Sequence, residues 1–235
     1  MTLVLLPPIG LDAGCWERVE LPPGDVGRHE FPGFGRRPRA ATQPSMADLA
    51  DEIASSYSGS LDVVGASMGG MVAQHLALRH PERVRSLLVV CTGAAVDPEV
   101  MLERAAQAET EGIAAMLDTT LRRWFTPAAL GLEPEHPGVA YARRTLLALD
   151  PGSFADGWRA MADHDVRDRL GEIGAPTTCL AGSADPVAPP ARLRELADGV
   201  ENGRLVVRDG PHMLHLERPA ELSAALLEHL DWVRG

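Results

Sequence analysis

A serine between small residues is the first feature of the chain that could carry out chemistry. Ser67 stands in the segment GASMGG (65–70), directly after the apolar run LDVV and before a stretch with helical periodicity. A strand-to-helix turn sharp enough to expose a serine hydroxyl leaves no room for large neighbours, and Gly65 and Gly69 meet that need. Such glycines also let a helix pack closely against a strand, so the motif has to be weighed with the rest of the chain.

A serine hydroxyl needs a base to become a good nucleophile, and two later segments contain suitable side chains. Asp185 lies in AGSADPVAPP (181–190), just after an apolar run, and His212 lies in DGPHMLHLERP (209–219), just after another. The order Ser, Asp, His, with each residue following a strand, is that of a catalytic triad at the carboxyl edge of an open sheet. We therefore predict that Ser67 is the nucleophile, His212 the general base and Asp185 the carboxylate that orients the base.

Two neighbouring residues compete for these roles. His215 lies three residues beyond His212, at the edge of the following helix, and Asp209 directly ends a strand, where it also fits a turn. We favour His212 over His215 and Asp185 over Asp209. The other histidines lie in strand, helix or linker contexts and are interpreted as surface or internally bonded residues: His29, His75, His80, His136, His164 and His229.

A site for acyl transfer also needs N–H groups that point to the developing negative charge. The amide of Met68, the residue after the nucleophile, is the first predicted donor. The second is expected in the loop LLPPIGLDAGCW (5–16), which follows the first strand. Because Pro7 and Pro8 have no amide hydrogen, we assign this role to Ile9.

The elements that must position these residues alternate along the chain. Apolar runs of strand length are separated by segments with helical periodicity, and several runs are continuously apolar, as in a parallel sheet that is covered on both faces. This alternation predicts a doubly wound, mostly parallel α/β sheet. The predicted strands are 2–6, 26–31, 61–66, 84–90, 177–182 and 203–208, and the predicted core helices are 45–57, 68–80, 190–199 and 219–233.

One long region interrupts this alternation. Residues 97–168 have no convincing strand and show helical patterns with a Pro- and Gly-rich break at EPEHPG (133–138). We interpret the region as a helical lid inserted after a central strand, with 1–96 and 169–235 as the core. Large apolar side chains of the lid are expected either to line a substrate pocket or to form the core of the lid itself: Trp124, Phe125, Phe154 and Trp158.

The same region carries two pairs of arginines, Arg122 with Arg123 and Arg143 with Arg144. A guanidinium group has the chemistry to bind a substrate carboxylate. A charged helix face is more often simply solvated, and we adopt that interpretation for all four residues.

Composition and charge narrow the classes of function. The chain has 235 residues, which fits one domain. Its formal net charge is -11, and such an acidic chain is not expected to bind nucleic acid or an anionic membrane surface. Cys15, Cys91 and Cys179 show no metal-binding spacing, and we expect them to be reduced in a cytoplasmic protein that holds no metal. The apolar N-terminus is too short for a membrane span and lacks the layout of a signal peptide, so we interpret it as a buried strand.

At the triad residues the sequence resembles the α/β-hydrolase superfamily over nearly the whole chain. The segment FPGFGRRPR (31–39) looks like the family's Pro- and Gly-containing loop, and HMLHLERP (212–219) looks like its C-terminal segment, which places the catalytic histidine on His212. Within the superfamily, RRWFTP (122–127) and the segment 147–177 are most similar to 3-oxoadipate enol-lactonases. The resemblance implies hydrolysis of a small ester or lactone, through an acyl-enzyme and without a cofactor.

Two differences from these relatives indicate a divergent member. The relatives carry a His-Gly pair at the position of Pro7-Pro8, and they begin with two additional strands, so we expect a sheet that is shorter at that edge. Proteins of the same superfamily also cleave thioesters or carbon–carbon bonds, or act as cofactor-free haloperoxidases. These reactions, and a ligand-binding module with little turnover, remain the alternatives to ester hydrolysis, and the sequence does not specify an oligomeric state.

Overall fold

Six strands form one parallel sheet in the computed structural model, which describes residues 2–235. The order across the sheet is β2-β1-β3-β4-β5-β6, and every neighbouring pair of strands is parallel. Residue 1 of the predicted core lies outside the described residues. The strands are β1 (Thr2–Leu6), β2 (Asp25–Arg28), β3 (Leu61–Ala66), β4 (Val84–Val90), β5 (Thr177–Gly182) and β6 (Gly203–Arg208).

Five of the six strands have the predicted bounds, and the exception is β2. The prediction extended this strand to Phe31 because that residue is apolar. In the structure Phe31 is buried beyond the end of the strand, in a loop that turns at Gly33, where φ is +82°. The hydrophobic side chain therefore reaches the core from a loop, and β2 is a short strand at one edge of the sheet.

Helices cover both faces of the sheet, as a doubly wound fold requires. Residues Leu61–Ala66 of β3 and Thr177–Gly182 of β5 are buried along their whole length, which explains why their sequences do not alternate between apolar and polar residues. The core helices are α1 (Met46–Ser56), α2 (Met68–Arg79), α8 (Pro190–Gly199), the short α9 (Leu214–Glu217) and α10 (Pro219–Arg234).

Five helices lie between β4 and β5, in the region predicted to be a lid. The two ends of this insertion are joined by an isolated antiparallel bridge between Ala95 and Asp165, with Val96 N–H donating to His164 O at 3.1 Å. We propose that the insertion forms a lid over the carboxyl edge of the sheet. Its helices are α3 (Pro98–Glu111), α4 (Ile113–Trp124), α5 (Pro127–Leu130), α6 (Pro137–Ala148) and α7 (Pro151–Ala162).

Two further properties bear on the expectations from sequence. All three cysteines are buried and none forms a disulfide. In the part of the chain from residue 2 to residue 235, no helix combines the length and the apolar character needed to span a membrane.

Candidate active site

Ser67 occupies a strained turn between β3 and α2. Its φ of 50° and ψ of -115° are unusual for a residue with a side chain, and such strain persists only where the surroundings enforce it. The backbone is fixed from both sides, because Ser67 N–H donates to Val90 O at 2.9 Å and Ser67 O accepts from Thr92 Oγ1 at 2.9 Å. A Cβ atom on Gly69 would collide with the backbone carbonyl of Leu6. A Cβ atom on Gly65 would overlap the backbone of Gly69, so Gly65 is required by the turn itself and Gly69 by the close approach of α2 to the end of β1.

The structure brings the predicted triad side chains together at the carboxyl edge of the sheet. His212 Nε2 lies 3.1 Å from Ser67 Oγ, and His212 Nδ1 lies 2.9 Å from Asp185 Oδ2. Ser67 follows β3, Asp185 follows β5, and His212 follows β6, so three separate strands position the three groups. A hydroxyl, an imidazole and a carboxylate in this series can transfer a proton from the serine to the histidine.

Asp185 is held in place by its own loop. Its Oδ1 accepts from the backbone N–H of Val187 at 2.7 Å and of Ala188 at 2.9 Å, which leaves Oδ2 for His212. Burial opposes the charged form, but attraction to His212 and these hydrogen bonds together bring the pKa of Asp185 below its usual value. The carboxylate is therefore ionised at neutral pH and accepts a hydrogen bond from Nδ1 of the imidazole.

The two amides predicted as oxyanion donors are both free. Among residues 2–235, neither the N–H of Ile9 nor that of Met68 donates a hydrogen bond to the backbone or to a side chain. Ile9 is 2% exposed and lines the cavity that contains Ser67, and Met68 begins α2 directly after the serine. Buried amides without a partner are rare, so both fit a role as donors to a ligand.

A cavity of about 290 Å³ opens above Ser67 and His212. Its volume is at the lower end of the range for small-molecule sites. One side is formed by the ends of the core strands and the other by helices α3, α4 and α7. Most of its lining is apolar, including Val100, Met101, Met161 and Val187.

Two of the four predicted lid residues line this cavity and two do not. Trp124 and Trp158 face it, whereas Phe125 and Phe154 are absent from its lining. Phe154 is fully buried and packs edge-on against Trp158, with ring centroids 5.5 Å apart. Phe125 and Phe154 belong to the buried core, which fits the other expectation, and a role of either in substrate binding stays a prediction.

One of the four arginines that were interpreted as solvated lines the cavity instead. Arg123 is half-buried and lines the cavity, whereas its neighbour Arg122 is exposed and does not. Thr120, Arg123 and Trp124 share the face of α4 that lines the cavity, whereas Arg122 lies outside that face. Burial lowers the pKa of Arg123, and the nearby Asp185 partly offsets this effect. Arg143 and Arg144 are not part of the lining.

Sequence reasoning missed several residues of the cavity. Cys91 and Thr92 follow β4, and the rule that sites lie at the carboxyl ends of parallel strands would have found them. Arg104 and Thr120 lie on lid helices, where no local motif distinguishes them from other polar residues. Burial raises the pKa of the Cys91 thiol well above its usual value, so this cysteine stays protonated and does not compete with Ser67 as a nucleophile.

The two residues that competed for roles in the triad, His215 and Asp209, are not in contact with Ser67. His215 is fully buried beside Trp16, with ring centroids 4.9 Å apart, and neither of its ring nitrogens has a hydrogen-bond partner among residues 2–235. Asp209 is exposed and lies near Ser183 and Arg218. Within residues 2–235, no group of three or more His, Cys, Asp or Glu side chains has the arrangement of a metal site.

Comparisons with known proteins agree with this geometry. A family model described as alpha/beta hydrolase fold matches residues 30–219. The enol-lactonase from Burkholderia xenovorans LB400 has the same fold with a TM-score of 0.91 at 27% identity, over 98% of this chain and 91% of that chain.

Two curated relatives are esterases or lactonases. The chain is 30% identical over 163 residues to 3-oxoadipate enol-lactonase 2 of Acinetobacter baylyi, a match that covers 69% of this chain and spans 60% of the length of the lactonase. It is also 30% identical over 218 residues to the pimeloyl-[acyl-carrier protein] methyl ester esterase of Chromobacterium violaceum, covering 86% of this chain and 82% of the esterase. The chain therefore belongs to the alpha/beta hydrolase family, and the relatives that it matches here cleave carboxylic esters or lactones.

Proposed function

We propose that the chain hydrolyses a small carboxylic ester or lactone through an acyl-enzyme on Ser67. The observation that carries this proposal is the continuous series of polar contacts from Ser67 Oγ through both nitrogens of His212 to Asp185. The series ends in a cavity that Ile9 lines, and the free backbone amides of Ile9 and of Met68, the residue after the serine, would supply the donors that acyl transfer requires.

In the first half of the reaction, Ser67 Oγ attacks the carbonyl carbon while His212 Nε2 accepts the hydroxyl proton. The carbonyl oxygen becomes negatively charged and is bound by the N–H groups of Ile9 and Met68. The tetrahedral intermediate then collapses: the bond to the alkoxide breaks, and His212 gives its proton to the departing oxygen. Asp185 stabilises the imidazolium that exists between these two proton transfers.

The second half releases the acid. A water molecule takes the place of the alcohol, and His212 Nε2 accepts one of its protons as the water oxygen attacks the acyl carbon. The second tetrahedral intermediate collapses, Ser67 Oγ leaves, and His212 returns the proton to it. With a lactone, the alcohol is part of the acyl group and stays attached to it through both steps, so the product is a hydroxy acid.

The size of the cavity limits the substrate. About 290 Å³ accommodates a small molecule, and the apolar lining fits an aliphatic or aromatic carbon skeleton. Trp124 and Trp158 of the lid line the cavity together with the triad residues Ser67 and His212, so the lid helices would determine which acyl group fits.

The experiment that tests the proposal is intact-mass analysis after treatment with a fluorophosphonate, which needs no knowledge of the substrate. We expect one covalent adduct on the wild-type protein, none on Ser67→Ala and a much slower reaction of His212→Ala. The variant Ser55→Ala, which changes an exposed serine on α1, is the matched control and should form the adduct like the wild type. A folded wild-type protein that forms no adduct would contradict the proposal.

Turnover is measured in parallel with para-nitrophenyl acetate. We expect Ser67→Ala and His212→Ala to lower kcat by about four to six orders of magnitude, because the triad residues act as one unit. Equal hydrolysis by the wild type and Ser67→Ala would show that another group performs the reaction.

A further inference from the structure

Two half-buried arginines of the cavity differ from the other half-buried arginines of the chain. Nine arginines are half-buried in the structure, and seven of them bind at least one protein oxygen atom. Arg104 and Arg123 are the two exceptions: within residues 2–235, neither forms a hydrogen bond or an ion pair. Both line the cavity that contains Ser67 and His212.

The two arginines come from different helices and line the same cavity. Arg104 is on α3 and Arg123 is on α4, and Thr120, one turn before Arg123, adds a buried hydroxyl to the lining. The exposed Arg192 of α8 also contributes to the cavity wall. The lining of the cavity is thus positively charged, although the net charge of the chain is -11.

Acidic side chains do not neutralise this charge. The single carboxylate of the cavity lining is Asp97, and its Oδ1 already accepts from the backbone N–H groups of Glu99 and Val100 at the start of α3. Asp185 attracts Arg123, but its two oxygens are taken by His212 and by its own loop.

A half-buried guanidinium without an acceptor is costly, because it has lost part of its hydration and gained no hydrogen bond. Arg104 illustrates this: its Nε is buried without a partner, while its guanidinium carbon lies 5.1 Å from the centre of the Trp158 ring. An anion between the two arginines would supply the missing acceptors. Carboxylate groups suit guanidinium geometry particularly well, since they accept two parallel hydrogen bonds.

We propose that Arg104 and Arg123 form an anion subsite, and that the preferred substrate is an ester or lactone carrying a second, free carboxylate. This inference rests on the proposed function, since it places the carboxylate on the molecule that Ser67 attacks. Arg104 and Arg123 bind the substrate and determine its specificity, and the bonds that form and break are still those at Ser67.

The test compares two esters of the same shape. One is the mono-para-nitrophenyl ester of adipic acid, which has a terminal carboxylate. The other has an isopropyl group in place of that carboxylate, which keeps the volume and removes the charge. We expect the wild-type protein to have a kcat/KM at least about tenfold higher for the carboxylate ester, because hydrogen bonds to charged groups contribute roughly 1.5–3 kcal/mol.

The variants Arg104→Met and Arg123→Met remove one charge each and keep most of the side-chain volume. In each, we expect the ratio of the two kcat/KM values to fall by about tenfold to a hundredfold. Arg122→Met is the matched control: it makes the same change of charge on the same helix, outside the cavity, and should leave the ratio unchanged. Arg104→Gln, which also removes the charge, provides a second variant with the same expected fall of the ratio if Arg104→Met does not fold.

A binding measurement separates this inference from the proposed function. Adipate dianion is titrated into the wild type and the same variants by calorimetry. Adipate binding that is lost in Arg104→Met and Arg123→Met, but not in Arg122→Met, supports the subsite even if neither ester is hydrolysed and the proposed function fails. Equal kcat/KM for the two esters, a ratio that Arg122→Met lowers as much as Arg123→Met does, or no adipate binding would overturn the inference.

Discussion

His212 Nε2 lies 3.1 Å from Ser67 Oγ although the two residues are 145 positions apart in the chain. The contact exists because β3 and β6 are parallel members of one sheet, and residues that follow parallel strands meet at the same edge. Asp185, which follows β5, is added to the pair by the same topology. The geometry of the site is therefore a direct consequence of the order and direction of the strands.

The first prediction concerns the carboxylate that orients His212. In Asp185→Asn, the side-chain oxygen can keep the bonds to the N–H groups of Val187 and Ala188, which turns the amide NH₂ toward His212 Nδ1. The imidazole must then carry its proton on Nε2 and cannot accept one from Ser67. We expect kcat for para-nitrophenyl acetate to fall by about three to four orders of magnitude, with little change in KM.

The control for this prediction is Asp209→Asn, which makes the same chemical change at the exposed competitor. We expect its kcat to match that of the wild type. A large loss of activity in Asp209→Asn together with normal activity in Asp185→Asn would reverse the assignment of the two carboxylates.

The second prediction concerns the turn that presents Ser67. A Cβ on Gly69 would overlap the backbone of Leu6, the last residue of β1, and of Pro7, which begins the loop that contains Ile9. Because these are backbone atoms, they cannot move aside without displacing the loop. We expect Gly69→Ala to lower the free energy of unfolding by about 1–3 kcal/mol and to lower activity, measured by urea unfolding and ester hydrolysis.

Gly174→Ala is the corresponding control, since a Cβ at this position meets no atom within 4 Å and its φ is not positive. It should leave both quantities close to the wild-type values. If Gly69→Ala were as stable and active as Gly174→Ala, Gly69 would not be required by the close approach of α2 to the end of β1.

Much of the fold could be predicted because its signals are local. The buried strands are largely apolar along their length. Strands that follow this pattern have the predicted bounds. A serine followed three residues later by an acidic residue is a pattern typical of a helix start, and Ser45 and Asp48, which form reciprocal hydrogen bonds, follow it before the helix that begins at Met46. Strand β2 was extended too far because burial of Phe31 is a property of the tertiary structure and not of the local sequence.

The site could be predicted only where a residue follows a strand. Ser67, Asp185 and His212 all do, and strand ends in a parallel sheet converge. The lid offers no such rule: whether Trp158 or Phe154 reaches the cavity depends on how α7 is rotated against its neighbours, and helical periodicity gives the two residues similar faces. The difference between Arg122 and Arg123 has the same origin.

The third prediction tests the proposed oxyanion donor. Ile9→Pro removes the N–H group at this position, so the developing charge would be bound by Met68 alone. We expect kcat to fall by about a hundredfold to a thousandfold. Ile9→Val keeps the amide and shortens the side chain by one methyl group, and it serves as the control for lost packing around this buried residue. A similar activity of the two variants, both shown to be folded by circular dichroism, would exclude Ile9 as a donor.

The fourth prediction concerns pH and stability. His215 is fully buried without a hydrogen-bond partner, and burial, together with the neighbouring His212, lowers its pKa to about 3. In the unfolded chain a histidine has a pKa of about 6.5. Because the folded value is the lower one, the contribution of this group is complete above pH 6.5. It decreases by about 1.4 kcal/mol per pH unit as the pH falls from about 6.5 toward 3.

His215→Leu removes this titration and keeps an apolar side chain beside Trp16. We expect its free energy of unfolding, measured by urea titration at several pH values, to fall less steeply than that of the wild type below pH 6.5. The remaining slope comes from other groups, such as the half-buried His75 and the buried His229, whose pKa values burial lowers to about 4. Parallel stability curves for the wild type and His215→Leu between pH 7 and pH 4.5 would mean that His215 is not held neutral by the fold.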